Sequence, residues 1–153
     1  MDLIFLIIIG GLWGSFANVC IVRMPQDKGV VAGRSNCPKC KKQINWYDNI
    51  PIISYFILNG KCRKCKKPIS FRYVVVELLS IISFVVIYLI YGFSFTTLLL
   101  FILSLGFIII FFIDLKHFII PDAITFPLMV IGFIKSFIPN LDPIFPYFVL
   151  SLI

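Results

Sequence analysis

The sequence predicts an all-α polytopic membrane protein, a helical transmembrane bundle with a small zinc-ribbon-like loop domain on its cytoplasmic side. Three observations predict it. Of 153 residues, 60% are hydrophobic and 14% charged, with a mean hydropathy of +1.03. A soluble domain has about 45–50% apolar and about 25% charged residues, so this chain has too little polar surface to coat a water-soluble globule. The apolar residues also fall in uninterrupted runs long enough to cross a bilayer. Finally, the net charge of +7 is concentrated: twelve of the fourteen Lys and Arg lie between Arg23 and Arg72, opposed only by Asp27 and Asp48. Soluble enzyme, disordered tail and secreted disulfide scaffold are excluded. A basic block between apolar runs follows the positive-inside rule and reads as a cytoplasmic loop rather than a nucleic-acid surface. The partner in this reading is the lipid bilayer, with no nucleic acid.

Leu3 to Val22 is a charge-free run of 20 residues, the length a helix needs to cross a hydrocarbon core of about 30 Å. No basic region precedes it, and Arg23, Lys28 and Arg34 follow it. It is therefore a retained first span (residues 1–22) with its N-terminus outside, not a signal peptide. Gly10 and Gly14 form a small-xxx-small pair suited to close helix packing, and Cys20 is a packed apolar thiol. Residues 23–72 form the polar loop domain. A membrane domain follows over 73–153, beginning with 41 residues from Tyr73 to Ile113 whose only charge is Glu77. The break at Tyr91-Gly92-Phe93-Ser94 divides them into spans at about 73–91 and 95–113. Asp114-Leu115-Lys116-His117 then lands on the cytoplasmic face. Pro121 and Asp122 open a fourth span at about 122–138, with proline suited to the first helical position and an acid to the positive end of the helix dipole. Pro127 should kink that span. Residues 139–143 form an external turn, and a partial span starts near Ile144. No internal repeat is expected.

Two C-x2-C pairs, Cys37 with Cys40 and Cys62 with Cys65, stand 21 residues apart. Each such turn offers two thiolates, and four satisfy tetrahedral zinc. The surrounding Lys39, Lys41, Lys42, Arg63, Lys64, Lys66 and Lys67 would lower the thiol pKa values and offset the charge of the site. Free thiols and two disulfides are the alternatives, and a reducing cytosolic loop disfavours the second. Four sulfur ligands leave no open position, so the role is structural.

Acids at a membrane boundary are costly and therefore informative. Asp114 closes the third span and Asp122 opens the fourth, placing both near the inner boundary. Two readings stand at this point. Paired carboxylates can share a proton and activate water for peptide hydrolysis; alternatively, Asp122 is a helix-start acid and Asp114 pairs with Lys116 or Arg72. Glu77, one turn inside the second span, is expected to pair with Arg72 or Arg23. His117, the only histidine, is expected on a short loop as a solvated interfacial group.

Several stretches resemble the type IV prepilin leader peptidase / N-methyltransferase family of membrane aspartic peptidases. They are Gly14-Ser15-Phe16-Ala17-Asn18-Val19 with Arg23-Met24-Pro25, Trp46-Tyr47-Asp48-Asn49-Ile50-Pro51-Ile52-Ile53-Ser54-Tyr55, Gly60-Lys61-Cys62-Arg63, and Pro68-Ile69-Ser70 with Arg72-Tyr73 and Glu77. Asp114-Leu115-Lys116-His117 with Ile119-Ile120-Pro121-Asp122 resembles the element bearing that family's first catalytic aspartate. The resemblance implies a bacterial inner-membrane aspartic endopeptidase that removes the leader of type IV prepilins and pseudopilins at the cytoplasmic face. It then methylates the new N-terminus with S-adenosylmethionine. The resemblance makes Asp114 the catalytic residue and the four cysteines the zinc-type cluster.

One departure bears on activity. The family's second catalytic aspartate sits in a Gly-x-Gly-Asp motif on a later span, whereas here the last glycine is Gly132 and the last acid Asp142. The expectation is a C-terminally truncated member that lacks the carboxylate dyad. Two rival readings follow: an inactive or methyltransferase-only remnant, and a non-enzymatic protein whose zinc-stapled module docks a partner.

Overall fold

A computed structural model of the chain describes residues 2–30, 35–37 and 39–136. Its elements are α1 (Asp2–Arg23), short 3-10 turns at Met24–Gln26 and Trp46–Asn49, α2 (Ile53–Ile57), α3 (Arg72–Tyr91), α4 (Phe95–His117) and α5 (Asp122–Ser136). Among the described residues β structure is limited to two isolated bridges, Asn36 with Gln43 and Lys61 with Pro68. The protein is a helical membrane protein: α1, α3 and α4 are each long and apolar enough to cross a bilayer.

The helix ends follow from local chemistry. Gly92, at φ +63°, ends α3 by donating its N–H to the Tyr88 carbonyl. Ser94 then caps α4, its hydroxyl oxygen accepting from the Thr97 N–H at 3.2 Å. The sequence predicted a third span ending near Ile113 with a loop through His117, but α4 continues through His117 and stops where Phe118 turns left-handed. Lys116 and His117 occupy its last turn, where cations face the negative end of the helix dipole, so His117 is helical rather than on a loop. Pro121 precedes α5, its carbonyl accepting from Ile124 and Thr125, and the acid Asp122 occupies the first turn. Pro127 lies inside α5. The remainder of the fourth span past 136, the turn at 139–143 and the run from Ile144 lie outside the described residues.

α1 and α3 pack antiparallel at very short range. Asn18 meets Tyr73, Gly14 meets Glu77 and Gly10 meets Ile81 in reverse order along the two helices. A Cβ on Gly14 would stand 2.7 Å from the Glu77 Cα, and one on Gly10 2.9 Å from the Ile81 Cα. The small-residue pair thus forms the α1–α3 seam, because lipid offers no hydrophobic drive and helices associate through close backbone approach. α4 completes a three-helix core of Ala17, Cys20, Ile21, Val76, Leu105, Ile109 and Ile113, to which α5 adds Ile124. Phe84 stacks on Phe101 across the α3–α4 contact, with ring centroids 4.1 Å apart. Cys20 is buried in the core, as its apolar setting predicted.

The polar loop does not stand clear of the bundle. Pro51 packs on Gly11, close enough that a Cβ there would lie 3.2 Å away. Gly11 is twelve residues before the end of α1, about 18 Å along the helix axis. The segment Pro51–Ile57 is therefore a wedge laid deep against α1 and α3, with Ile53, Phe56 and Ile57 turned outward at 57%, 64% and 68% exposure.

Candidate functional site

The two C-x2-C turns close into one cluster. In the first, the Cys37 N–H donates to the Lys42 carbonyl at 2.9 Å and the Lys41 N–H to the Cys37 carbonyl at 2.8 Å. The second repeats this: Cys62 donates to Lys67 and Lys66 to Cys62, each at 2.9 Å. Lys41 and Lys66 both take positive φ, and the two isolated bridges close the two hairpins at equivalent places. This is an internal repeat at a spacing of 25 residues, contrary to expectation. Its signal was present in the chain: CPKCKKQI at 37–44 and CRKCKKPI at 62–69 share six of eight residues.

The four Sγ atoms all lie within 4.8 Å of one another, with Cys37 and Cys65 at 3.9 Å. Zinc–thiolate bonds of about 2.3 Å require sulfurs about 3.8 Å apart in a tetrahedron, so the tetrad can hold a metal ion. Backbone N–H groups of Cys65 and then Lys64 draw the Cys62 thiol down to about 6. At Cys65 a Lys67 N–H also lowers the pKa, but burial and the Cys62, Cys40 and Cys37 thiols outweigh it and push it to about 11. Cys62 thus loses its proton first and Cys65 last. Sulfurs this crowded cannot all be thiolates without a cation among them. Arg63 braces the second turn with a forked contact to Asp48, 2.7–3.0 Å from the carboxylate oxygens; the pair raises the guanidinium pKa.

Between this module and the adjoining ends of α1, α3 and α4 lies a cavity of about 820 Å³, reached by Asn18, Asp48, Tyr55, Arg72, Glu77 and His117 among others. Glu77 differs from expectation. Its carboxylate faces neither Arg72 nor Arg23; it is buried, accepts the Ile52 N–H at 2.8 Å, and takes a second hydrogen bond from the Ser15 hydroxyl. Arg72 instead lays its guanidinium over the Tyr73 ring, 5.2 Å from the centroid.

The backbone that Glu77 holds is strained. Ile52 has φ +61° and ψ −53°, and the Ile53 N–H reaches back to the Pro51 carbonyl at 2.5 Å. That is a γ-turn of the rare positive-φ kind, with a β-branched residue at its centre. Such a turn costs roughly 1–3 kcal/mol and leaves the Ile52 N–H pointing at the carboxylate that satisfies it. Sequence reasoning missed this arrangement because nothing in Ile-Pro-Ile-Ile announces a left-handed residue.

Asp114 is exposed on the last turn of α4, and Asp122 is exposed at the start of α5 across the short link Phe118–Pro121. Neither makes an ion pair; Asp48 with Arg63 is the sole pair among the described residues. Lys116 and His117 line the cavity, so this end of α4 lies on the same side of the bundle as the cysteine module.

These features define a helical membrane protein with a tetracysteine metal module folded onto its first two spans. The family model of the bacterial peptidase A24 N-terminal domain matches residues 8–91, the stretch from α1 through the module to the end of α3, and the chain belongs to that family. It is 38% identical over 139 residues to a prepilin leader peptidase/N-methyltransferase of Myxococcus xanthus, covering 91% of this chain and 42% of the relative. Its identity to the protein of the same name from Vibrio cholerae is 38%, over 88% of this chain and 57% of the relative. For the Neisseria gonorrhoeae protein the identity is 36%, over 83% and 53%. The chain spans about half the length of the curated relatives it matches. No solved structure matches it.

Proposed function

We propose that the chain acts in the bacterial inner membrane as a prepilin leader peptidase with N-methyltransferase chemistry. It processes type IV prepilins or pseudopilins, with its N-terminus outside and the cysteine module in the cytoplasm. The observation that carries this reading is the match to prepilin leader peptidases over most of the chain, joined to a membrane-boundary acid, Asp114, in the stretch that resembles their catalytic element. The substrate of such an enzyme is an apolar helix behind a short basic leader, which lets it lie beside the spans with its scissile bond at the inner boundary. In this mechanism Asp114 holds a water as general base, and the amine leaving group takes its proton from a second carboxylate. Asp122 is on hand at the same end of the bundle but belongs to a helix-start position, so the second carboxylate is assigned to another segment. The thiolates of Cys37, Cys40, Cys62 and Cys65 hold zinc as a staple and take no part in the reaction. S-adenosylmethionine supplies the methyl group for the new N-terminal amine.

The test is the Asp114→Asn substitution in the protein produced from its chromosomal gene, with leader cleavage followed by the size of the pilin. Loss of cleavage by about a hundredfold or more is expected, with membrane insertion and zinc content unchanged. Normal processing would remove Asp114 from the mechanism. A second reading, methyl transfer alone, is favoured by the family match covering residues 8–91, which include the cavity and exclude Asp114. It predicts methylation of a pre-cleaved pilin peptide in the Asp114→Asn variant.

A further inference from the structure

Two polar atoms in the cavity between the module and the spans are buried without any partner: Asn18 Oδ1 and Arg72 Nε. The orientation of the Asn18 amide is dictated by its surroundings. Its Nδ2 donates to the Tyr73 carbonyl at 3.0 Å and toward the Gly14 carbonyl at 3.4 Å. Flipping the amide would set oxygen against two oxygens. Asn18 is only 2% exposed, so Oδ1 is an acceptor withheld from water and from the protein alike. Leaving such a group unmade costs about 1–3 kcal/mol, more where the partner is charged. Arg72 Nε is a donor in the same position. Beside them is Glu77, whose carboxylate is buried and bonded only to neutral groups, the Ile52 N–H and the Ser15 hydroxyl.

An orphan acceptor, an orphan cationic donor and a carboxylate without a counter-cation are together complementary to one kind of ligand. It must bring an ammonium for Asn18 and Glu77 and a carboxylate for Arg72, which is the zwitterionic end of an α-amino acid. The cavity, at about 820 Å³, has room for considerably more than that end. It falls within the range of about 300–1,000 Å³ for small-molecule sites. Tyr55 and Tyr73 in its lining offer aromatic surface for a heterocycle.

We propose that this cavity is the methyl-donor site, with the methionyl ammonium of S-adenosylmethionine held by Asn18 Oδ1 and Glu77 and its carboxylate by Arg72. The inference rests on the methyl-transfer reading above and adds to it the place and the recognising atoms. The sulfonium makes the donor cationic, and Glu77 is the cavity's unpaired carboxylate, since Asp48 is committed to Arg63. The basic side chains at the mouth then neighbour the neutral adenosine end.

The test is equilibrium binding to the purified, zinc-loaded chain in lipid nanodiscs, with two probes. S-adenosylhomocysteine carries the amino-acid end; 5′-methylthioadenosine lacks it. The wild-type chain should bind the first at least tenfold more tightly than the second. Arg72→Met and Asn18→Leu should each weaken S-adenosylhomocysteine by about tenfold to a hundredfold and leave methylthioadenosine binding within twofold. Retained methylthioadenosine binding shows that the variants are folded, and Arg72→Met serves if Asn18→Leu disturbs the α1–α3 seam. If the wild type binds S-adenosylhomocysteine and both variants bind it equally well, the pocket assignment is wrong while the methyltransferase reading stands. If the wild type binds neither probe, both fall.

Discussion

Gly14→Ala adds one methyl group at the tightest point of the α1–α3 seam. The new carbon would lie 2.7 Å from the Glu77 Cα, 3.0 Å from the Ser80 Oγ and 3.1 Å from the Ser80 Cβ. Non-bonded carbons rest at about 3.5–4.0 Å. The nearest obstacle is backbone, which no rotamer change can move, so the two helices must part by about 1 Å. That shift stretches the Asn18–Tyr73 hydrogen bond, now 3.0 Å, past the usual limit of about 3.2 Å. It also loosens the seat of Glu77 against Ile52. Overpacking of this kind costs about 1–3 kcal/mol, set against about 1 kcal/mol gained when alanine replaces glycine in a helix. Gly132→Ala is the internal control, because a Cβ there meets nothing within 4 Å and collects the helix gain alone. The two single-methyl variants should therefore differ by about 1–3 kcal/mol. On the scaling for chains of this size that is a difference of roughly 3–10 °C in Tm, read by thermal unfolding in detergent. Equal Tm values for the two variants would refute the close antiparallel seam and the register built on it.

Purified protein should carry one zinc per chain by elemental analysis; Cys62→Ser should lose it, and chelation should loosen the cysteine module while helix content stays near its starting value. Phe84→Ala, which removes the ring stacked on Phe101, should cost about 2 kcal/mol by the same unfolding assay. This is less than the 3–5 kcal/mol of a soluble core, since in lipid only packing is lost. Ile57→Trp, in a background where Trp13 and Trp46 are Phe, should emit at short wavelength and be quenched by lipids brominated on their acyl chains. Red-shifted, unquenched emission would place the Pro51–Ile57 wedge in water.

The number and order of the elements were legible in the chain because they depend on local quantities. The length of each apolar run decides whether a helix crosses, Gly92 and Ser94 decide where α3 gives way to α4, and Pro121-Asp122 decides where α5 begins. The cysteine tetrad was legible for a similar reason, since C-x2-C is a complete local turn and two of them need only meet. Gly10 and Gly14 announced a close helix contact without naming the partner.

What the sequence by itself determined, then, was which segments are helices and which side chains hold sulfur or charge. Only the tertiary structure decided what those groups face. Glu77 looked like the partner of a nearby arginine, because charge pairing is the cheapest rule to apply along a chain. In the fold, a strained turn at Ile52 presents its N–H to that carboxylate across 25 residues of sequence, leaving Arg72 Nε and Asn18 Oδ1 without partners in one cavity. Hydrophobic periodicity has no bearing on such an arrangement, since it depends on how deeply a loop is pressed between two helices. That depth is governed by the missing side chain at Gly11, whose effect appears only when Pro51 comes to lie against it.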